Sequence, residues 1–302
     1  MVTVSVIIPV HNGAKTIAET IATVQQQTYP DWELIVVDDG STDTTTAIIT
    51  NLGEPRLQLF SWAQRGVCAS RNQGARLAQG EFLAFLDADD LWSCDKLAAQ
   101  LDCLSNPAVA LAYSWTDYIN EAGDWLFAGR HPQFSGSVYQ QLFLGNFLEN
   151  GSNALIRRSA FETVGGFDES LVGAEEWDLA LRLAREYQFA CVPQVQVWYR
   201  LGQTASSTQL ERQRRECLEV IRRHCTPQVR SYLNQSLANL HRYLLFRGLQ
   251  SHRIKPSLLA KYWLQSLIYQ PLWLFQQPRL VVIAAIKVLL RLARLTIPKQ
   301  AI

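Results

Sequence analysis

Three closely spaced carboxylates follow a short apolar run, and this combination is typical of a site for a metal ion and a phosphate. The run at 81–86 is rich in aromatic residues, and Asp87, Asp89 and Asp90 follow it directly. Open α/β sheets bind ligands at the edge where their strands end. Carboxylates crowded there repel one another unless a hard divalent cation lies between them and a phosphate. The sequence therefore predicts a nucleotide diphosphate held through a metal.

An acidic turn can also be purely structural, because Asp hydrogen-bonds turn backbones and caps helices. Here the next helix would start at Ser93 or Asp95. The preceding elements favour the ligand-binding alternative, because β-branched runs alternate with helical patterns. The predicted strands are 4–10, 33–37, 57–61 and 81–86, with further strands expected at 109–118 and 152–156, and the predicted helices are 16–27, 44–52 and 69–78. This alternation predicts an α/β fold with a mostly parallel central sheet flanked by helices.

Polar or small residues end each of the first two strands. Pro9, His11 and Asn12 lie where the first strand ends, and Asp38 and Asp39 end the second. Because the carboxyl ends of parallel strands meet at one edge of a sheet, these residues should lie beside the acidic turn. A bound nucleotide is expected at this edge.

Several motifs resemble, in the same order, those of family 2 glycosyltransferases with the GT-A fold. They are VIIPVHNG at 6–13, VVDDGSTD at 36–43, ASRNQG at 69–74, FLDADD at 85–90, GGFD at 165–168, EEWDL at 175–179 and WYR at 198–200. Each motif is weak alone, but their ordered combination is highly specific. The resemblance implies a GT-A nucleotide-diphospho-sugar transferase fold and a catalytic domain over 1–207.

The resemblance also implies roles for individual residues. The nucleotide-sugar contacts are assigned to Pro9, His11, Asn12, Asp38, Asp39, Arg71, Asn72, Asp87 and Ala88. One carboxylate of the Asp38 and Asp39 pair would accept the ring N–H of uridine. Arg71 would place its guanidinium fork on a diphosphate or a base edge. His11 stands where many relatives have Tyr or Phe, so it would bury less area against the base. Mg²⁺ or Mn²⁺ would be held by Asp89, with Asp87.

A second carboxylate cluster, Glu175, Glu176 and Asp178, opens a helical run and is predicted to supply the catalytic base. Acidic residues are also favoured in a first helical turn by the helix dipole. The resemblance implies a Glu-Asp pair whose second member deprotonates the acceptor hydroxyl, and Glu176 stands where Asp is usual. Glu is one methylene longer, so Glu175 and Asp178 remain candidates. The implied reaction is a single in-line displacement with inversion at the anomeric carbon.

The resemblance implies transfer of a hexosyl group from a nucleotide-diphosphate sugar, with UDP-sugar favoured, to a lipid-linked or cell-envelope glycan. No Gln-x-x-Arg-Trp motif is present, which favours non-processive transfer. Two alternatives stay open: a nucleotidyltransferase, for which HNGAK at 11–15 is a poor loop, and a membrane-bound sugar-nucleotide sensor or scaffold. Four aromatic residues are equally interpretable as sugar-stacking platforms or as core: Trp115, Tyr118, Trp125 and Phe127.

Charge divides the chain. The first 219 residues hold 15 of the 28 basic and all 27 acidic residues, a formal charge of −12, and the remainder carries +13. The region 208–302 is therefore predicted to be helical, basic and membrane-associating. Within 280–297, Lys287, Arg291 and Arg294 share one helical face, which favours an in-plane helix on an anionic leaflet. Packing as a homodimer and a short membrane span are the other options, and no nucleic-acid partner is expected.

Cellular location is predicted from two further features. The six cysteines lack metal-ligand spacing, so they are expected to be small buried hydrophobes in a reducing compartment. Met1 is followed at once by a strand, with no signal peptide. The chain is therefore expected in the cytoplasm, peripheral on the inner face of the cell membrane.

Overall fold

The computed structural model describes residues 2–202, 207–251 and 253–296. Its strands are β1 (Val4–Val10), β2 (Trp32–Asp38), β3 (Leu57–Ser61), β4 (Phe82–Phe85), β5 (Leu91–Trp92), β6 (Val109–Ile119), β7 (Trp125–Ala128), β8 (Leu155–Arg157) and β9 (Gln188–Arg200). Its helices are α1 (Ile17–Gln25), α2 (Thr45–Asn51), α3 (Val67–Leu77), α4 (Lys96–Cys103), α5 (Tyr139–Leu144), α6 (Arg158–Thr163), α7 (Glu175–Glu186), α8 (Ser207–His224), α9 (Leu233–Gln250), α10 (Pro256–Tyr269), α11 (Trp273–Gln276) and α12 (Pro278–Thr296).

The strands form one mixed sheet whose order is β3-β2-β1-β4-β8-β6-β9-β5, with β7 paired to β6. β3, β2, β1 and β4 are parallel neighbours, and β6 and β9 form a long parallel pair. β8 is antiparallel to both β4 and β6. Every residue of β1 and β2 is buried, which explains their nearly continuous apolar sequence. The predicted α/β fold is confirmed. Most of the paired residues in the sheet belong to parallel strand pairs.

Close packing of α3 on the sheet depends on one glycine. A Cβ built on Gly74 would lie 2.4 Å from Ile7 Cγ2, so a side chain there would push α3 away from β1. Because Arg71 lies one turn earlier in α3, this contact also sets the position of Arg71.

The second half of the sheet was only partly predicted. β5, β7, β9, α5 and α6 were not predicted, and β8 covers only the end of the expected strand at 152–156. The prediction that the six cysteines are buried holds only for Cys68 and Cys217, because Cys94 is exposed and the other three are half-buried: Cys103, Cys191 and Cys225. Cys68 is buried, and this burial raises its pKa to about 12.

The chain divides into two compact units: residues 1–142 with 146–202, and residues 143–145 with 203–302. The second unit contains α8 to α12, and the predicted domain boundary at 207 lies within a few residues of position 203. Inside this unit Ser236 Oγ donates to the Phe143 carbonyl at 2.6 Å, and Asn239 donates to the Leu144 carbonyl at 2.8 Å. The residues at 143–145 therefore pack with the C-terminal helices.

The predicted cationic face of α12 is wrong in part. Lys287 is exposed, but the Arg291 guanidinium donates to the carbonyls of residues 248, 249 and 251, at 3.3, 2.7 and 2.9 Å. Arg291 thus caps the end of α9, as basic side chains commonly do. The Arg294 side chain lies outside the described part. Within the described ranges, no helix is both long and apolar enough to cross a bilayer.

Candidate active site

The Arg71 guanidinium is the centre of the site. Arg71 belongs to α3 and is 2% exposed. It donates to Asp87 Oδ1 at 2.6 Å, to Glu175 Oε1 at 3.2 Å and to Glu176 Oε1 at 3.1 Å. Asp87 follows β4, whereas the two glutamates begin α7. One guanidinium therefore joins the two carboxylate clusters that are far apart in the sequence.

The geometry favours Glu176 over its neighbours as the base. Glu175 is 5% exposed, and its second oxygen accepts the Gly173 amide at 2.5 Å. Asp178 is buried and accepts from Arg182 Nε at 2.8 Å. The Glu176 side chain is 24% exposed, so an acceptor hydroxyl can reach it. Burial and the charge of Glu175 raise the pKa of Glu176 to about 8, which suits a base working near neutral pH.

A buried network holds the acidic turn in shape. Asp90 is fully buried and accepts from Ser152 Oγ at 2.5 Å and from the Arg200 amide at 2.9 Å. Ser152 Oγ accepts from the Asp87 amide at 3.0 Å, and Arg200 Nε donates to the Asp89 carbonyl at 2.7 Å. Burial, with the nearby charge of Asp87, raises the pKa of Asp89 to about 6 and that of Asp90 well above its usual range.

The donor set at this turn fits a divalent cation that takes its other ligands from substrate. Across residues 2–202, 207–251 and 253–296, no group of three or more His, Cys, Asp or Glu side chains is arranged to hold a metal. Mg²⁺ is commonly bound through one or two carboxylates, with substrate phosphates and water completing its shell. Burial and, second to it, the charge of Asp87 raise the pKa of Asp89, and a bound cation would offset the charge of both carboxylates. Asp89 and Asp87 therefore remain the predicted metal ligands.

The aspartates at the end of β2 accept backbone amides. Asp38 is 2% exposed, and its Oδ1 accepts the Ser41 amide at 3.0 Å. Asp39 accepts the amides of residues 65 and 66, at 2.7 and 2.9 Å. A cavity of about 260 Å³ lies beside Asp39. Its lining residues are Asp39, Trp62, Ala63, Arg65, Ala69, Ser70, Gln73, Arg76 and Glu169. A base in this cavity would face Asp39, and the uridine contact stays a prediction.

The ring of His11 is exposed but held in place. Its Nδ1 lies 3.0 Å from the Asp39 carbonyl oxygen, and its Nε2 lies 3.2 Å from Asn12 Nδ2. These partners assign the ring proton to Nδ1. Asn12 adopts a left-handed φ of 55°, and its Oδ1 accepts the Thr42 amide at 2.8 Å. The loops after β1 and β2 are therefore tied together, and stacking of His11 on a base stays a prediction.

Three other predicted nucleotide contacts are engaged within the protein. Asn72 Nδ2 donates to the Phe167 carbonyl and its Oδ1 accepts the Phe167 amide, both at 2.9 Å. The Ala88 carbonyl accepts from Thr16 Oγ1 at 2.8 Å. Pro9 is buried within β1. These contacts position the loops, and Asn72 Nδ2 also donates to Glu169 Oε1 at 2.9 Å. A direct contact from the Asn72 amide to a nucleotide would therefore compete with three hydrogen bonds.

The structure gives different environments to the four aromatic residues whose roles the sequence left open. Trp115 is half-buried and donates its indole N–H to a backbone carbonyl at 2.9 Å. Tyr118 and Phe127 stack on each other with ring centroids 4.7 Å apart. Trp125 is 60% exposed, yet its Nε1 donates to Asp117 Oδ2 at 2.8 Å. Trp125 is thus an exposed ring of fixed orientation.

Sequence reasoning missed three residues of the site. Ser152 and Arg200 tie the acidic turn together, and only the motif at 198–200 pointed to Arg200. A Cβ on Gly151 would lie 2.7 Å from Arg71 Nη2 and 2.8 Å from Glu176 Oε1, so only glycine leaves room for this pair. No spacing signal marks Gly151 or Ser152, because their partners come from distant segments.

Comparisons with known proteins identify the family and the fold of the chain. Residues 5–246 match the family described as glycosyltransferase like family 2. The Escherichia coli protein WfgD, a UDP-Glc:alpha-D-GlcNAc-diphosphoundecaprenol beta-1,3-glucosyltransferase, is 36% identical over 118 residues, covering 39% of this chain and 47% of WfgD. The chain thus spans about half the length of this relative, and only 23% of another curated relative, an uncharacterized glycosyltransferase of Rickettsia felis.

Two solved structures share the fold. S. aureus TarS 1–349 in complex with UDP-GlcNAc has a TM-score of 0.60 at 15% identity, covering 88% of this chain and 89% of that one. The mannosyltransferase PcManGT from Pyrobaculum calidifontis, in complex with GDP-Man and Mn²⁺, has a TM-score of 0.58 at 22% identity, covering 95% and 86%. The predicted GT-A fold is confirmed. Because the family match spans most of its length, the chain belongs to the family 2 glycosyltransferases.

Proposed function

We propose that the chain transfers a hexosyl group from a nucleotide-diphosphate sugar, with UDP-sugar favoured, to a lipid-linked or cell-envelope glycan, with inversion. The proposal rests mainly on one observation: Arg71 bridges Asp87, on the acidic turn, to Glu176, at the start of α7. The predicted donor-binding turn and the predicted base therefore share one site. WfgD, named for UDP-Glc and an undecaprenol-linked acceptor, supports both substrate classes and a location at the inner face of the cell membrane.

In this proposal Glu176 takes the proton of the acceptor hydroxyl while that oxygen bonds to the anomeric carbon. The bond from the anomeric carbon to the diphosphate breaks on the opposite side, so the configuration inverts. Arg71 keeps Glu176 and Asp87 in fixed relation, since it is buried and bonded to both. Its positive charge also lowers the cost of the negative charge that collects on the leaving diphosphate.

Asp89 and Asp87 are the residues that would hold Mg²⁺ or Mn²⁺, as the Mn²⁺ complex of PcManGT supports. When bound, the metal would offset the charge of the leaving diphosphate. Three carboxylates, those of Asp87, Glu175 and Glu176, share the Arg71 guanidinium, and the Arg200 guanidinium is paired with Glu19. A diphosphate would therefore meet an excess of negative charge without a cation.

Asp89→Asn tests the metal assignment. The variant should fold normally but lose metal-dependent protection against thermal unfolding by UDP-sugars, with donor hydrolysis reduced at least 100-fold. Asp102→Asn is the matched control, because Asp102 is exposed on α4, and it should behave as wild type. Wild-type turnover that persists after complete chelation with EDTA would overturn the metal assignment while leaving Glu176 as the base untested by this experiment.

A further inference from the structure

Helix α12 presents a continuous apolar face to solvent. We call Val282, Ile283, Ile286, Leu289 and Leu290 the outer face of α12; each has between 47% and 62% of its surface exposed. Two apolar residues that precede α12 in the chain are also exposed, Phe275 at 80% and Leu272 at 61%. A contiguous exposed apolar surface of this kind marks an interaction site in a folded protein.

The orientation of α12 is set by its opposite side. Val281, Ala284 and Val288 are at most 3% exposed, and their spacing of three and four places them on one stripe. Arg291 extends this stripe and bonds the last carbonyls of α9. The outer face is therefore the side that the second unit leaves uncovered, because rotating the helix would break both the buried stripe and the Arg291 contacts.

The positive charge of the C-terminal region favours one kind of partner for the outer face, an anionic membrane surface. No Asp or Glu occurs after Glu219, whereas 13 Lys and Arg residues do. Lys255, Lys261, Arg279 and Lys287 are all exposed. A second copy of the same face would bring like charges together, whereas anionic lipid headgroups complement them. Apolar side chains next to cations are the arrangement of a helix lying in a membrane interface.

We propose that α12 docks in the plane of an anionic bilayer, with its outer face inserted among the acyl chains and Lys287 and Arg279 at the headgroups. Insertion of apolar surface holds the helix, and charge adds preference for anionic lipid. This differs from the binding expected from the sequence, in which three cations shared the contact, because Arg291 is used inside the protein. The docking is independent of the sugar-transfer proposal, since no residue of the site takes part.

The test is flotation of the full chain with vesicles of phosphatidylglycerol and phosphatidylethanolamine, followed by a wash in high salt. Wild type should stay bound through the wash. Ile286→Ser with Leu290→Ser should weaken binding at least tenfold, whereas Lys287→Ser with Arg279→Ser should reduce the preference for anionic lipid. Leu264→Ser is the matched control, because it alters an exposed Leu of α10 that lies outside the outer face of α12, and it should bind as wild type.

Thermal unfolding of each variant checks that these surface changes leave the fold intact. The proposal is overturned if the Ile286 and Leu290 double variant floats as well as wild type. It is also overturned if wild type is released entirely by salt, which would indicate purely electrostatic binding. A third contrary outcome is a stable homodimer in light scattering that the double variant dissociates, with no vesicle binding by either form.

Discussion

Glu176 differs from the other carboxylates of its cluster by being both reachable and weakly acidic. We expect Glu176→Gln to keep donor binding, because the amide can still accept from Arg71, while turnover falls by roughly 10² to 10⁴, the range for loss of a general base. Steady-state kinetics with saturating donor measures this. Glu175→Gln is the matched control. It should lower the unfolding midpoint, because Glu175 bonds both Arg71 and the Gly173 amide. It should reduce turnover less than Glu176→Gln does. A larger loss of turnover in that control would move the base to Glu175.

The same variant should change the pH dependence. With a pKa of about 8 for Glu176, kcat/KM of wild type should rise with pH until about 8, because only the ionised form acts as base. The free energy of unfolding should instead decrease as pH rises. Below the ordinary pKa of 4.5, protonated Glu176 contributes its full stability to the folded state. This contribution is lost as pH rises through about 8. The unfolding midpoint of wild type should therefore fall relative to Glu176→Gln across that window.

At the scale of elements, the strands buried on both faces were the most predictable. β1 and β2 are entirely buried, so their apolar runs stand out, and the helix between them shows clear helical spacing. β9 was not predicted as a strand, because its burial alternates irregularly and its register with β6 shifts more than once. The network of Asp90, Ser152 and Arg200 could not be predicted either, since it closes only when three distant segments meet.

The β6–β7 hairpin lies next to the acidic turn, and we expect it to contribute to the acceptor site. Arg200 donates to the carbonyls of Asn120 and Glu121 at 3.3 and 2.9 Å, and to that of Asp89 at 2.7 Å. The turn of the hairpin is therefore tied to the turn that carries Asp89. Trp125 begins β7 with an exposed ring held by Asp117, and a ring fixed in this way can stack on a sugar without losing rotamer freedom.

We accordingly expect Trp125→Ala to raise the KM for the acceptor by about three- to tenfold, the equivalent of a typical stacking contribution. Donor hydrolysis without acceptor should not change. Tyr243→Ala, at another exposed aromatic, serves as control in the same transfer assay. An unchanged acceptor KM in the Trp125 variant would assign the hairpin a different role.

At the scale of the whole molecule, the sequence shows where the basic composition begins. It does not show how the helices beyond that point pack. The basic C-terminal region begins close to where the second unit resumes. However, the family match continues to residue 246 and so includes α8 and most of α9. Residues 143–145 belong with these helices, a long-range association that no local pattern marks. The catalytic motifs end before residue 207, but the folded chain does not separate cleanly there.

Two truncations distinguish the roles of the C-terminal helices. A chain ending after Gly202 leaves the carbonyls of Phe143 and Leu144 without their α9 partners. At a net contribution of about 0.5–1.5 kcal/mol for each lost hydrogen bond, and about 2–4 °C per kcal/mol for a chain of this size, its unfolding midpoint should fall by about 5 °C. A chain ending after Gln277 keeps both bonds and should retain donor hydrolysis while losing vesicle binding. Calorimetry of both chains measures the difference, and equal midpoints would show that α8 and α9 contribute nothing to the stability of the N-terminal part.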